Sequence, residues 1–164
     1  MLPLPRLAEN VRRASPARFE PTPDLLGLPT VAHRDYSATP LHRKLGIKEG
    51  SRVAMVGSPD RFAVDLPPGA WLAQRSTRDI DVAILFVRRR SELERRFASM
   101  MRRLALSGRL WVCWPKKSSD LDTDLDFDLV QRTGLAAGLV DNKSASITAD
   151  FQGLQFVYRL KDRR

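Results

Sequence analysis

The run Asp81-Val82-Ala83-Ile84-Leu85-Phe86-Val87 constrains the fold more than any other stretch of this chain. A strand with one wet face alternates apolar and polar residues. Unbroken apolar character demands cover on both faces, which is the habit of a parallel strand inside an α/β sheet. A parallel neighbour needs a crossover, and the next residues supply one. Ser91-Glu92-Leu93-Glu94 reads as a capping box, with Ser91 as N-cap and Glu94 reaching back. Leu93, Phe97, Met100, Met101 and Leu104 then repeat at helical spacing on one face, with Gly108 as the expected stop. At 100° per residue, Arg95, Arg96, Arg102 and Arg103 fall on the opposite side. Leu110-Trp111-Val112-Cys113-Trp114-Pro115 is the following strand, stopped by a proline that cannot continue a ladder.

The flanking sequence extends the same scheme. Thr39 is placed to cap a short helix, with Pro40 at its first position and Gly46 at its end. Arg52 to Gly57 is a buried strand, and residues 58 to 69 leave room for at most a short helix around Phe62. Ala70 to Gln74 is a second, short strand. Thr123 and Asp126 can cap a helix running to about Thr133, closed by Gly134 with Leu135 as the contact beyond it. Ser144 to Asp150 and Leu154 to Leu160 resemble an antiparallel hairpin joined around Gln152-Gly153. The expected fold is a Rossmann-like three-layer α/β sandwich with a mainly parallel sheet ending in an antiparallel C-terminal hairpin. The link between the second and third strands is too short for a crossover helix, so the doubly wound pattern is a reduced one.

With 164 residues the chain holds one ordinary domain, expected over residues 36 to 164. Residues 1 to 35 carry six of the eleven prolines and no sustained apolar period, as a disordered arm would. No apolar run approaches the ~20 residues of a membrane span, and no secretory leader opens the chain, so a cytoplasmic protein is expected. Cys113 is the one cysteine, within an apolar strand, where an inert core thiol is expected. The net charge of +9 is concentrated: residues 75 to 117 hold twelve basic and four acidic side chains. Anionic partners follow from such a cluster. Arginine outnumbers lysine 22 to six, which reflects genome base composition as readily as guanidinium chemistry.

Tyr36-Ser37-Ala38-Thr39-Pro40-Leu41, Lys44-Leu45-Gly46-Ile47-Lys48, Trp114-Pro115-Lys116-Lys117, Gly134-Leu135-Ala136-Ala137-Gly138-Leu139-Val140-Asp141 and the ending Phe156 to Arg164 form an ordered set of motifs. Together they resemble a bacterial family classed as domain of unknown function 3052. That resemblance implies a bacterial cytoplasmic protein and brings no activity. Leu45 to Gly57 also resembles the approach to the first strand of class I methyltransferases that use S-adenosylmethionine. The later order of strands and helices resembles the second half of that fold. Such enzymes follow the first strand with Gly-x-Gly and end the second in an acid for the ribose hydroxyls. This chain has Gly57-Ser58-Pro59-Asp60 and Gln74-Arg75 in those places, so no cofactor is expected.

Ligands of open α/β sheets bind beyond the carboxyl ends of the strands. That edge is expected to gather Gly57 and Ser58 from the first strand, Arg88 from the third, and Trp114, Lys116, Lys117, Ser118 and Ser119 from the fourth. Lysines would neutralise an anion, serines would donate hydrogen bonds, and Trp114 would stack on a ring. A phosphate-bearing metabolite or a nucleic-acid backbone fits that chemistry, with Arg95, Arg96, Arg102 and Arg103 as a basic surface along the helix. The bland alternative is a proline-stopped strand, a structural tryptophan and a solvated helix face. Asp120, Asp122, Asp124, Asp126 and Asp128 alternate as some calcium ligands do, yet Leu125 and Gln131 stand where such a loop needs glycine and glutamate. They are expected to cap a helix, and no metal is expected. His33 and His42 have no partner spacing for a metal or a triad. Tyr36, Ser37 and Thr39 neighbour the site only if the opening helix packs over the strand ends. The leading expectation is a noncatalytic module that binds an anionic ligand or macromolecule. The alternatives are a degenerate or unusual methyltransferase and a protein-interaction module using the hairpin edge or the arm.

Overall fold

A computed structural model describes residues 39–163. The expected arm, His33, Tyr36 and Ser37 lie outside the described residues. Leu41–Leu45 forms α1, capped by Pro40 and ended by Gly46 at φ 80°. Thr39, the expected cap, stands one residue too early. Strand β1 covers Arg52–Val56, β2 only Trp71–Leu72, and β3 Ile80–Phe86. Helix α2 (Arg90–Arg103) runs directly into β4 (Leu104–Pro115), and α3 (Phe127–Ala136) leads to β5 (Leu139–Ser146) and β6 (Phe151–Tyr158).

The six strands form one sheet in the order β2-β1-β3-β4-β6-β5. Strands β1 to β4 are mutually parallel, and β6 and β5 close the sheet antiparallel, as a reduced Rossmann-like α/β fold. Strand alternation then divides the core. Ala83, Leu85, Val112 and Trp114 face α2 and α3, where they meet Leu93, Phe97, Met100 and Val130. Val82, Ile84, Trp111 and Cys113 face the other way, towards Leu45 and Ile47. That second layer is thin: α1 and the irregular segment 58–70 supply it, through Phe62, Val64 and Leu66. Phe62 packs edge-on to Phe86 at 4.8 Å without the short helix expected around it.

Several boundaries depart from the sequence reading, each for a packing reason. The start of α2 is not capped by Ser91 and Glu94. The carboxylate of Asp124 accepts the Arg90 N–H at 2.8 Å, that of Glu92 accepts the Arg88 N–H at 3.1 Å, and Glu94 bonds the Arg90 side chain instead. The helix stops at Arg103, and Gly108 sits inside β4, where a register shift occurs in the pairing with β3. A methyl group there would come within 2.6 Å of the Ile80 carbonyl. Gly134 does not close α3. It lies within the helix, at a position where a methyl would overlap the Phe156 ring, and Leu135 is exposed. The hairpin turns at residues 147–150, and Gly153 pairs within β6 between Trp111 and Ile147. Asp126 does cap α3, accepting from the Leu129 N–H at 2.8 Å.

Candidate anion-binding cleft

The direction of strand winding reverses at the border between β1 and β3, the place where open α/β sheets take ligands. A cavity of about 340 Å³ lies there, lined by Gly57, Ser58, Pro59, Asp60, Arg88 and Glu92 among others. Gly57, Ser58 and Arg88 are therefore brought together as expected. Arg88 lines this cavity and is held in place by the acidic loop. Its Nε donates to the Asp122 carbonyl at 3.1 Å, while its own carbonyl accepts from Thr123 Oγ1 and the Asp124 N–H. Arg89 pairs with Asp122, whose carboxyl is held below the usual carboxylate range by that hydrogen bond and charge. The Asp122, Asp124 and Asp126 carboxylates are thus occupied at the starts of α2 and α3. Among the described residues, no group of three His, Cys, Asp or Glu side chains is placed to hold a metal ion.

The β4 half of the expected site does not join this crevice. Trp114 is 2% exposed and packs edge-on to Phe127, and with Lys116 it lines a separate cavity of about 420 Å³ between β4 and the C-terminal hairpin. Lys116 Nζ donates to Ser146 Oγ at 2.7 Å, and its backbone N–H bonds the Asp150 carbonyl. Ser119 Oγ donates to the Asp150 carboxylate at 3.1 Å. These bonds tie the end of β4 to the C-terminal hairpin, and Lys117 and Ser118 remain exposed. The sequence reading missed this because it put the hairpin turn at residues 152–153 rather than beside Lys116.

A larger cleft, about 650 Å³, opens on the α2 side of β1 and β2. Helix α2 packs over β3 and β4, and the seven residues from Ala73 to Asp79 that return the chain to β3 are too few for a helix over β1. Ala54, Val56, Ala73 and Met100 make an apolar floor, and Arg75, Arg96 and Arg103 supply the charge. No carboxylate lines it. Arg103 is fixed by donating to the carbonyls of Thr77 at 2.9 Å and Gln74 at 2.7 Å, which pins the loop after β2. Arg96 reaches Glu92 at 3.6 Å and stays one-third exposed. Arg75 has no side-chain partner among the described residues. Of the expected basic surface, Arg96 and Arg103 enter this cleft, Arg102 lines a separate groove between α2 and α3, and Arg95 is exposed. Arg75 and Ser99 were not singled out from sequence; the missing crossover helix, already visible as a short connection, was the signal.

Burial in the apolar sheet raises the Cys113 thiol well above its usual range. It is a buried core residue.

No known protein-family profile matches the chain, and no curated protein matches it either. The likeness to family 3052 therefore rests on the motif residues alone. Among solved structures, the chain is similar to a TehB-like S-adenosylmethionine-dependent methyltransferase from Corynebacterium glutamicum. That match has 13% identity and a TM-score of 0.47 over 78% of this chain and 91% of the other. The PH0226 protein from Pyrococcus horikoshii matches at 11% identity and a TM-score of 0.43, over 73% and 86% of the two chains. LepI in complex with S-adenosylmethionine matches at 11% identity and 0.42, over 86% of this chain and 50% of its own. The Rossmann-like reading of the sheet rests on its own strand order.

The residues at the expected cofactor position match the methyltransferase pattern only in part. Gly57 adopts φ 73°, and a side chain there would meet the Phe86 carbonyl at 2.6 Å. The turn continues into Pro59, which has no N–H to offer, and β2 is followed by exposed Gln74 and Arg75 where an acid would hold ribose hydroxyls.

Proposed function

We propose that this chain is a noncatalytic Rossmann-like module that binds an anionic ligand or macromolecule in the arginine cleft beside α2. The observation that carries the reading is the convergence of Arg75, Arg96 and Arg103 over an apolar floor with no lining carboxylate. Guanidinium groups bind phosphate and carboxylate oxygens in a planar fork, and the floor of Ala54, Val56 and Met100 accommodates an uncharged part of the same ligand. A phosphate-bearing metabolite or a nucleic-acid backbone fits, in the setting of a bacterial cytoplasmic protein whose single domain spans residues 36 to 164. No described helix is long and apolar enough to cross a membrane. The Gly57, Ser58 and Arg88 crevice is a secondary contact for the same ligand, since Gly57 borders both cavities. Lys116, Lys117, Ser118 and Ser119 take no part.

The test is a titration of inorganic triphosphate, a nucleoside triphosphate and a single-stranded oligonucleotide into the full chain. Binding of at least one, weakened tenfold or more by Arg96→Glu, supports the reading. No binding of any anion sinks it. The strand order favours a second reading, methyltransferase activity. Calorimetry with S-adenosylmethionine separates the two: the expected result is no heat and no thermal stabilisation, and a saturable heat with product formation would replace the first reading by the second.

A further inference from the structure

The cleft also contains an unfinished sheet edge. Strand β3 pairs with β1 from Val53 to Val56, but β2 pairs with it only at Arg52 and Val53. The last bond on that side runs from the Ala73 N–H to the Val53 carbonyl at 2.7 Å, after which the chain turns away through Gln74 and Thr77. Ala54, Met55 and Val56 therefore have no strand on their outer side; Ala54 is buried, and the N–H and C=O of Met55, in phase with Val53, are the backbone groups directed outward into the cleft. The edge strand itself is short, with Trp71 44% and Leu72 58% exposed. Sheet edges left in this state accept an added strand.

We propose that the cleft takes an extended acidic peptide segment of a partner protein, paired as a strand along Ala54–Val56. This rests on the anion-binding reading of the same cleft and names its occupant. Charge complementarity selects an acidic segment, because three arginines and no carboxylate line the slot. The backbone selects a peptide over a nucleic acid: a sugar-phosphate chain has no N–H and C=O ladder to offer β1. Period two then gives the pattern. Ala54 and Val56 face α2, so residues opposite them project towards Arg96 and Arg103. Met55 faces the other layer with Phe62 and Val64, so the residue opposite it is apolar. Alternate acids about 7 Å apart along a strand suit two arginines that are seven residues, or about 10 Å, apart along a helix. The recognised pattern is acid, apolar, acid.

The experiment compares three dye-labelled, capped heptapeptides by fluorescence anisotropy on the full chain. One alternates glutamate and valine, one has the same composition with its glutamates grouped, and one alternates but carries N-methylated backbone amides. Inorganic triphosphate and a single-stranded oligonucleotide are titrated alongside. The alternating peptide is expected to bind at least tenfold more tightly than either control, and Arg96→Glu and Arg75→Glu, each checked for native circular dichroism, are expected to weaken it tenfold or more. Equal affinity for the three peptides overturns strand pairing while anion binding stands. An oligonucleotide that binds tighter than the alternating peptide overturns the peptide assignment. If none of the anions binds, both readings fail.

Discussion

The centre of the sheet and its β1–β2 margin share a parallel ladder and differ in what covers it. At the centre, Leu85 of β3 and Val112 of β4 face α2, while Ile84 and Trp111 face the opposite layer, and all four are fully buried. At the margin, the partly buried Val56 and Ala73 face an open cleft, and Leu72 lies at the exposed edge. The difference lies in the connections. The β3–β4 link contains a 14-residue helix, and the β2–β3 link contains none. A parallel sheet stripped of one crossover keeps its strands and gains a cavity, and here that cavity is lined by arginine.

The contrast is broken most severely by truncation. Leu85→Ala is expected to cost about 2–5 kcal/mol, as for a fully buried leucine, whereas Leu72→Ala at the edge should stay within about 0.5 kcal/mol. Urea denaturation of the two variants measures both. Similar losses would mean that the margin is as tightly covered as the centre. Gly134→Ala ranks next. The added methyl must displace the Phe156 ring, and overpacking of this kind costs about 1–3 kcal/mol. A neutral or stabilising result would show that Gly134 behaves as an ordinary helix interior position.

Those two sites also show where the sequence was legible. The unbroken apolar run placed β3 within one residue, and the helical period placed the buried face of α2. Glycines misled, because Gly108, Gly134 and Gly153 look like punctuation and serve close packing against the Ile80 carbonyl, Phe156, and Trp111 with Ile147. The site was half visible. Arg96 and Arg103 could be assigned to one helix face, but Arg75 joins them only because a layer is missing, and that is a tertiary fact. Trp114 and Lys116 stood at the correct end of β4, yet the hairpin closes over that end through Ser146 and Asp150.

Smaller effects are expected in the acidic loop beside the smaller cavity. Asp126→Ala removes the acceptor for the Leu129 N–H at the start of α3, and the loss of an N-cap costs about 1 kcal/mol. A thermal melt reads it, and Asp126→Asn should recover most of the loss. The smallest effect is that of Asp122. Arg89 depresses its folded-state titration through a hydrogen bond and charge, so its contribution is present above the ordinary carboxylate range and lost as pH falls through the lower folded value. The pair is solvent-exposed, and salt screens it. Asp122→Asn should therefore flatten the acid limb of the stability profile slightly in dilute buffer and leave it unchanged at high salt. An equal change at high salt would contradict an exposed pair.

Anion binding by the arginines of the uncovered margin is read from the affinity of the full chain for inorganic triphosphate at several salt concentrations, compared with the Arg75→Glu/Arg96→Glu double variant. Saturable binding is expected that weakens with salt and falls at least tenfold in the variant while its denaturation midpoint stays near that of the parent. Unchanged affinity in a folded double variant would place the anion elsewhere on the molecule.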